Sequence, residues 1–214
     1  MKNQRELNKE ARRKAIMAAA EQVFLVKGFE GATVDDIARE AECTKRTLYS
    51  YFPGKDLLFN EIVIRGYEVL NNLTEELMSP DLTATGLERL FMYGDLYIKF
   101  FQDFPQYFVA MTKYETHRKV DPALELYQRT YAVGEVSFNR LLFFLHRGIE
   151  DGSIRRDIEP LGTALTLYAQ IIGMGILWLN KNSYVQEMKG KPWTKLIQDM
   201  QGLIRTALQN EGGK

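Results

Sequence analysis

Lys45, Arg46, Thr47, Tyr49 and Tyr51 fall within one short stretch, and Thr44 stands directly before them. Two cations followed by hydroxyls on one helix form a set of donors suited to nucleic acid. Arg46 can bond guanine O6 and N7 in bidentate fashion, and Lys45 can reach a base or a phosphate. Threonine and tyrosine hydroxyls, with the free N–H groups of helix starts, suit phosphate oxygens. Lys55, just past Pro53-Gly54 and at the start of the next helical pattern, can clasp a further phosphate. A helical hairpin with a merely solvated basic face has the same composition, and spacing alone leaves both readings open.

Two short elements must position these groups. Val34, Ile37, Ala38 and Ala41 recur at i, i+3, i+4 and i+7, an apolar stripe on a helix of about two turns. Thr33 precedes the stripe, and its hydroxyl can cap the first-turn N–H groups. Glu42 and Cys43 interrupt the pattern. Thr44 offers a second N-cap, and Leu48 and Phe52 make the inward face of a second helix. Together these are a helix-turn-helix whose second helix can enter a major groove. Residues 9–27 predict a longer bracing helix, with Ile16, Ala19, Ala20, Val23 and Phe24 on one face and Gly28 at its end. Arg12, Arg13 and Lys14, near its start, can approach a DNA backbone or simply be solvated.

The stretch GFEGATVDDIAREAECTKRTLYSYFPGKDLLFNEIV closely resembles the DNA-binding domain of the TetR family of bacterial transcriptional regulators. The residues that carry the resemblance are Gly28, Phe29, Thr33, Ile37, Ala38, Thr44, Lys45, Thr47, Leu48, Tyr49, Tyr51, Phe52 and Lys55. It covers roughly the first quarter of the chain. It implies that Thr33, Tyr49, Tyr51 and Lys55 hold phosphates and that Lys45 and Arg46 face bases. Two positions depart from the family pattern. Glu42 stands where glycine is usual, and if that turn needs φ > 0 a glutamate there carries strain of roughly a kcal/mol or more. Glycine is also frequent where Arg46 stands, so base reading by Arg46 rests on its own chemistry.

The formal net charge of the chain is zero, but residues 1–55 hold 11 Lys+Arg against 8 Asp+Glu, and the remainder 17 against 20. A basic head on an acidic body agrees with a DNA-facing end. At 214 residues and 45% hydrophobic, the chain can bury a core. Cys43 is the only cysteine, which excludes an intramolecular disulfide. Met1 to Arg13 is polar and charged, unlike a signal peptide. The most apolar run, Leu165 to Leu179, reads as too short and too mixed for a membrane span. A cytoplasmic protein with no membrane contact is expected.

The rest of the chain reads as helices with no alternating strand, so an all-α fold of about nine helices is expected. Its division is a three-helix DNA-binding domain over 1–55 and a ligand-binding and dimerisation domain over 56–214. Helices are expected over about 55–78, 85–104, 106–114, 121–150, 159–182 and 192–210. The helix from Glu159 is apolar nearly all round and must be covered on several sides. With the last helix and their two-fold copies it can make a four-helix contact, the homodimer interface that the resemblance implies.

Aromatic residues at helical spacing are more often core than ligand box. The resemblance nevertheless implies an effector pocket among the middle helices, and its candidate lining is Tyr97, Tyr107, Phe108, Met111, Tyr127, Tyr131, Phe138, Tyr168 and Trp178. A small, largely apolar or aromatic effector would suit them. The function expected is a ligand-responsive transcriptional regulator, a repressor by resemblance, that binds a palindromic operator as a homodimer and is released by its effector. The alternative is a DNA-binding regulator controlled by a protein partner or by no small molecule. An enzyme is disfavoured: no G-x-S-x-G, H-E-x-x-H or phosphate-binding glycine loop is present. His117, His146 and one cysteine make no convincing zinc site, and no metal or cofactor is expected.

Overall fold

The computed structural model describes residues 3–116, 125–190 and 192–210. Regular structure among them is helical: α1 (Gln4–Gly31), α2 (Val34–Glu40), α3 (Lys45–Tyr51), α4 (Lys55–Thr74), α5 (Gly86–Asp103), α6 (Pro105–Thr116), α7 (Glu125–Glu150), α8 (Pro160–Lys189) and α9 (Trp193–Leu208). A 3₁₀ turn over Glu75–Met78 follows α4, and Ile154 and Gln209 form an isolated bridge. The all-α expectation therefore holds, with the predicted elements in the predicted order. His117, read as a surface-loop residue, and Asp121-Pro122, read as opening α7, lie outside the described residues.

Capping chemistry sets several helix starts. Asn3 with Glu6, Thr33 with Asp36, and Thr85 with Glu88 each form a reciprocal capping box that satisfies first-turn N–H groups. Gly28 (φ 68°, ψ 170°) breaks the regular path of α1 where a helix end was expected, and one further turn continues to Gly31.

The chain packs as two compact units, Met1–Glu68 with Gln106–Val133, and Val69–Pro105 with Gly134–Lys214. In the first, Ile16, Ile37 and Leu48 are fully buried and Phe52 nearly so, the shared core that the three apolar stripes demand. Leu58 and Ile62 of α4 extend it, and Phe59 meets Phe24 edge-on at 5.6 Å. Tyr107, Phe108 and Met111 of α6 are buried in the same unit. Glu21 of α1 is buried there too. Its Oε1 accepts from Arg65 Nη1 and from the Tyr107 hydroxyl, each at 3.1 Å. Burial pushes the Glu21 carboxyl up, against the opposing pull of Arg65 and Tyr107. Burial and the adjoining carboxylate push Tyr107 up to about 12.

In the second unit, the residues after α7 cap the start of α5. Gly86 N–H donates to Asp151 Oδ2 at 2.7 Å and Leu87 N–H to Ser153 Oγ at 3.1 Å. Arg89, 5% exposed, donates to the carbonyls of Leu77, Ser79, Leu82 and Ala84, so one guanidinium organises the whole segment ahead of α5.

α8 departs from expectation. It has 30 residues and runs on to Lys189, well past Asn182. Over Pro160–Glu187 it is long and apolar enough to cross a membrane by length and composition, which corrects the reading of a short, mixed run. It is also poorly covered within the chain. Leu161, Leu165, Ile176, Leu177 and Tyr184 are each 44–53% exposed, and Leu203 of α9 is 75% exposed. Gly173, expected to permit a close backbone approach, has open space around it within the chain.

The tightest crossing is that of α5 on the end of α7. A Cβ on Gly86 would lie 2.0 Å from the backbone nitrogen of Gly148 and 2.4 Å from its Cα. Gly86→Ala is expected to destabilise the protein by about 3 kcal/mol or more, because backbone must move. Gly94→Ala in the same helix meets nothing within 4 Å, and should stabilise by about 0.5–1 kcal/mol. Urea unfolding of the two variants checks the pair.

Candidate functional site

Seven residues are too few to hold a helix in water, so α3 depends on its neighbours. Thr44 Oγ1 accepts from Thr47 N–H at 3.1 Å and lies 2.9 Å from Thr47 Oγ1. Thr33 Oγ1 accepts from Asp36 N–H at 3.1 Å and donates to Asp36 Oδ2 at 2.7 Å. The ammonium of Lys27 and the Thr33 donors hold the Asp36 carboxyl well below the usual carboxylate range. The turn between α2 and α3 is tied down as well. Cys43 N–H donates to Ala38 O at 2.9 Å. Arg12 Nη2, from α1, donates to the carbonyl of Glu42 at 3.0 Å.

Glu42 has φ +48°, and among the described residues no other non-glycine side chain sits at positive φ. The turn does need the left-handed region, and the residue there carries the β-carbon clash that glycine would avoid.

The exposed face of α3 carries Lys45, Arg46 and Tyr49. Lys45 Nζ is paired with Asp35 Oδ2 of α2 at 2.7 Å. Arg46 makes no hydrogen bond or ion pair among the described residues, so its five donors face water. Thr47 and Tyr51 are half-buried. Lys55 is placed differently from what phosphate binding alone would suggest. Its Nζ donates to Phe29 O at 2.9 Å and Ala32 O at 3.2 Å, and it lies 4.3 Å from the centre of the Phe29 ring. Two of its three N–H donors are spent on closing the end of α1.

The aromatic candidates in the body are scattered. A narrow cavity of about 60 Å³ in the second unit is lined by Leu90, Phe91, Tyr93, Tyr97 and Ile98 of α5, Leu141 of α7, Leu167, Tyr168, Gln170 and Ile171 of α8, and Met200, Gln201 and Ile204 of α9. Of the nine candidates, Tyr97 and Tyr168 line it. Phe138 sits edge-on behind Tyr168 at 6.2 Å. Trp178 packs on Trp193 at 5.3 Å, beside a separate open groove. In the other unit Tyr107 is engaged by Glu21, Phe108 and Met111 are core, Tyr127 stacks on Tyr114 at 6.5 Å, and Tyr131 is 56% exposed. Leu90, Phe91, Tyr93, Ile98, Met200 and Ile204 line the cavity without having been singled out. Their i, i+3, i+4 and i+7 spacing on two helices was the available signal.

The cavity has no charged lining residue. The Tyr93 hydroxyl donates to Ser137 O at 2.9 Å, and burial pushes it up. Around the cavity α5 and α9 are joined by two contacts. Gln201 Nε2 donates to Asp95 Oδ1 at 2.5 Å, and the Arg205 guanidinium lies 4.2 Å from the centre of the Phe91 ring.

A capped helix pair with a basic reading face, in a chain whose described residues fold mainly as α-helices, defines a helix-turn-helix transcriptional regulator that binds DNA. Residues 16–62 match the family model described as bacterial regulatory proteins, tetR family. The uncharacterized HTH-type transcriptional regulator YhgD of Bacillus subtilis (strain 168) is 23% identical over 169 residues, which cover 75% of this chain and 78% of YhgD. IcaR of Staphylococcus aureus (strain Newman), a negative transcriptional regulator of the biofilm operon icaADBC, is 28% identical over 71 residues, 33% of this chain and 37% of IcaR. The solved structure of the transcriptional regulator FadR from Bacillus subtilis, in complex with stearoyl-CoA, shares the fold. It has a TM-score of 0.69 at 19% identity and covers 91% of this chain and 98% of that one. Over residues 16–62 the chain thus carries the DNA-binding domain of the TetR family of bacterial transcriptional regulators.

Glu42→Gly should stabilise the protein by about 0.5–1 kcal/mol, the relief at φ > 0 less the extra freedom glycine gives the unfolded chain. The Arg12 bond is to backbone and survives the change, so thermal unfolding should show a raised midpoint with the fold unaltered.

Proposed function

We propose that the protein is a dimeric repressor that reads a palindromic operator through α3 and is released by a small, uncharged, largely apolar effector. Arg46 is the observation that carries the DNA-reading part. It is an exposed guanidinium without a partner on the helix that a helix-turn-helix presents to the major groove, and a bidentate contact to guanine is its best use. Lys45 must leave Asp35 to reach DNA, whereas Thr33, Thr44, Thr47, Tyr49 and Tyr51 supply hydroxyls for phosphates. Lys55 acts mainly by holding the end of α1 and offers its last donor to a phosphate. Repression is supported by the likeness of the head to IcaR.

The exposed apolar side chains of α8, with Leu203 of α9, support a homodimer through these two helices. A partner copy would cover the length of α8, and the open space at Gly173 would admit its close approach. We therefore read α8 as a dimer face in a cytoplasmic protein and not as a membrane span.

The cavity supports an apolar effector, since every charged group is kept out of its lining. At about 60 Å³ it is far below the roughly 300 Å³ or more of a ligand site. An effector must therefore part the helices to enter, and the bond of α9 to α5 at Gln201 and Asp95 is the one to open. Such a ligand binds the widened state better than the narrow one, the differential affinity by which it can shift the regulator away from its DNA-binding arrangement. The family-typical division into a head over 1–55 and a regulatory body over 56–214 fits this scheme.

Selection of binding sites from a random DNA pool at physiological salt tests the reading. The wild type should enrich a palindrome, and Arg46→Ala should lose preference at one mirrored position, a discrimination of about 1–3 kcal/mol per base pair. Uniform weakening would make Arg46 a phosphate contact, and no enrichment by the folded protein would refute sequence-specific regulation. In parallel, Leu203→Asp should sediment as a monomer at concentrations where the wild type is a dimer.

A further inference from the structure

Beyond the reading face of α3, α1 presents a second basic surface. Residues 4–11 are all exposed, and Arg12 is the first of the helix to be partly covered. Two features nevertheless hold this overhang helical, the Asn3–Glu6 capping box and a hydrogen bond from Gln4 Nε2 to Asn8 Oδ1 at 3.0 Å. About two turns of uncovered helix are marginal in water, so these supports keep the side chains of the overhang in a fixed array.

The array has a direction. Arg5, Lys9 and Arg12 recur at i, i+4 and i+7, and the same stripe continues through Ile16, Ala20 and Val23, all buried against the head. The core-facing stripe thus turns basic where the helix overhangs. Arg12 shows what it overhangs, because its guanidinium bonds the carbonyl of Glu42 in the turn between α2 and α3. Glu6 and Glu10 are set off by roughly 100° and 140° around the helix, away from the stripe. Neither Arg5 nor Lys9 has an ion-pair partner among the described residues.

We propose that Arg5 and Lys9 form a second, sequence-independent contact with the DNA backbone beside the helix-turn-helix. This rests on the DNA-binding reading above. The two side chains stand about 6 Å apart along the axis and offer two point charges to the phosphates of one strand. The contact adds affinity and salt dependence without adding base preference.

The test is fluorescence anisotropy of the full chain on two labelled duplexes, a random-sequence 30-mer and a site enriched from the random pool, across a salt series. In the Arg5→Gln/Lys9→Gln variant, log K against log salt should be shallower by about 2 per bound protomer on both duplexes. Site preference should be unchanged. Glutamine keeps helix propensity close to that of the replaced residues, and Arg5→Lys/Lys9→Arg should retain the wild-type slope, which ties the effect to charge. An unchanged slope and affinity in the glutamine variant overturns the contact while leaving α3 as the reader. Weakening on the enriched site alone overturns its sequence independence. A wild type that binds neither duplex overturns the DNA-binding reading itself, and this proposal with it.

Discussion

A recognition helix of seven residues cannot stand by itself, and that constraint shapes the first unit. Almost everything α3 needs is borrowed. Its first turn is capped by Thr44, its inward face is Leu48 with Phe52 just beyond, and both are buried with Ile16 of α1 and Ile37 of α2. α1 is the longest element of the head because it must offer a continuous apolar stripe to two short helices at once. The basic groups are carried on this frame and contribute little to it. Lys55 is the exception, since its contacts with Phe29 O and Ala32 O make a cation part of the frame.

The frame extends beyond the three helices through a buried carboxylate. Desolvating Glu21 is unfavourable, and its bonds to Arg65 of α4 and Tyr107 of α6 offset that cost only while all three side chains keep their places. Loss of either partner would leave a poorly satisfied charge between packed helices. Such a cluster favours one arrangement of α1, α4 and α6 and penalises departures from it, which apolar packing alone would tolerate better. α4 then continues into the second unit, so the element that leaves the head is anchored there by a polar contact of defined geometry.

The head was legible in the sequence because its determinants are local. Caps at Thr33 and Thr44, stripes at helical spacing and the glycine at position 28 each act within a few residues, and the strain at Glu42 followed from one expected residue type at one turn. The end of α8 was less legible. Lys181, Asn182 and Ser183 resemble a stop, yet polar residues on an exposed face leave the helix ladder intact, and it runs on to Lys189. The cavity was least legible. Whether a tyrosine is core or lining depends on what the fold brings to it. Tyr107 is engaged by a residue 86 positions earlier, and Tyr97 meets α9 across a cavity that no local pattern describes.

A chain of zero net charge can still be a DNA-binding protein because the relevant field is local. Screening confines the influence of exposed charges to about 8–10 Å at physiological salt, so the charges beside α3 weigh most at the reading face. Within the head several acidic residues are also paired close at hand. Asp36 is paired with Lys27 and Arg39, Asp35 with Lys45, Glu61 with Arg13, and Glu21 with Arg65. Of the cations, Arg5, Lys9, Lys14 and Arg46 have no hydrogen-bond or ion-pair partner among the described residues, and Arg12 and Lys55 bond only carbonyls. Neutralisation inside the head therefore sharpens the surface: the ion pairs hold Arg13, Lys27, Arg39 and Lys45 against carboxylates, and Arg46 on α3 with Arg5 and Lys9 on the overhang of α1 keep their full charge at exposed positions.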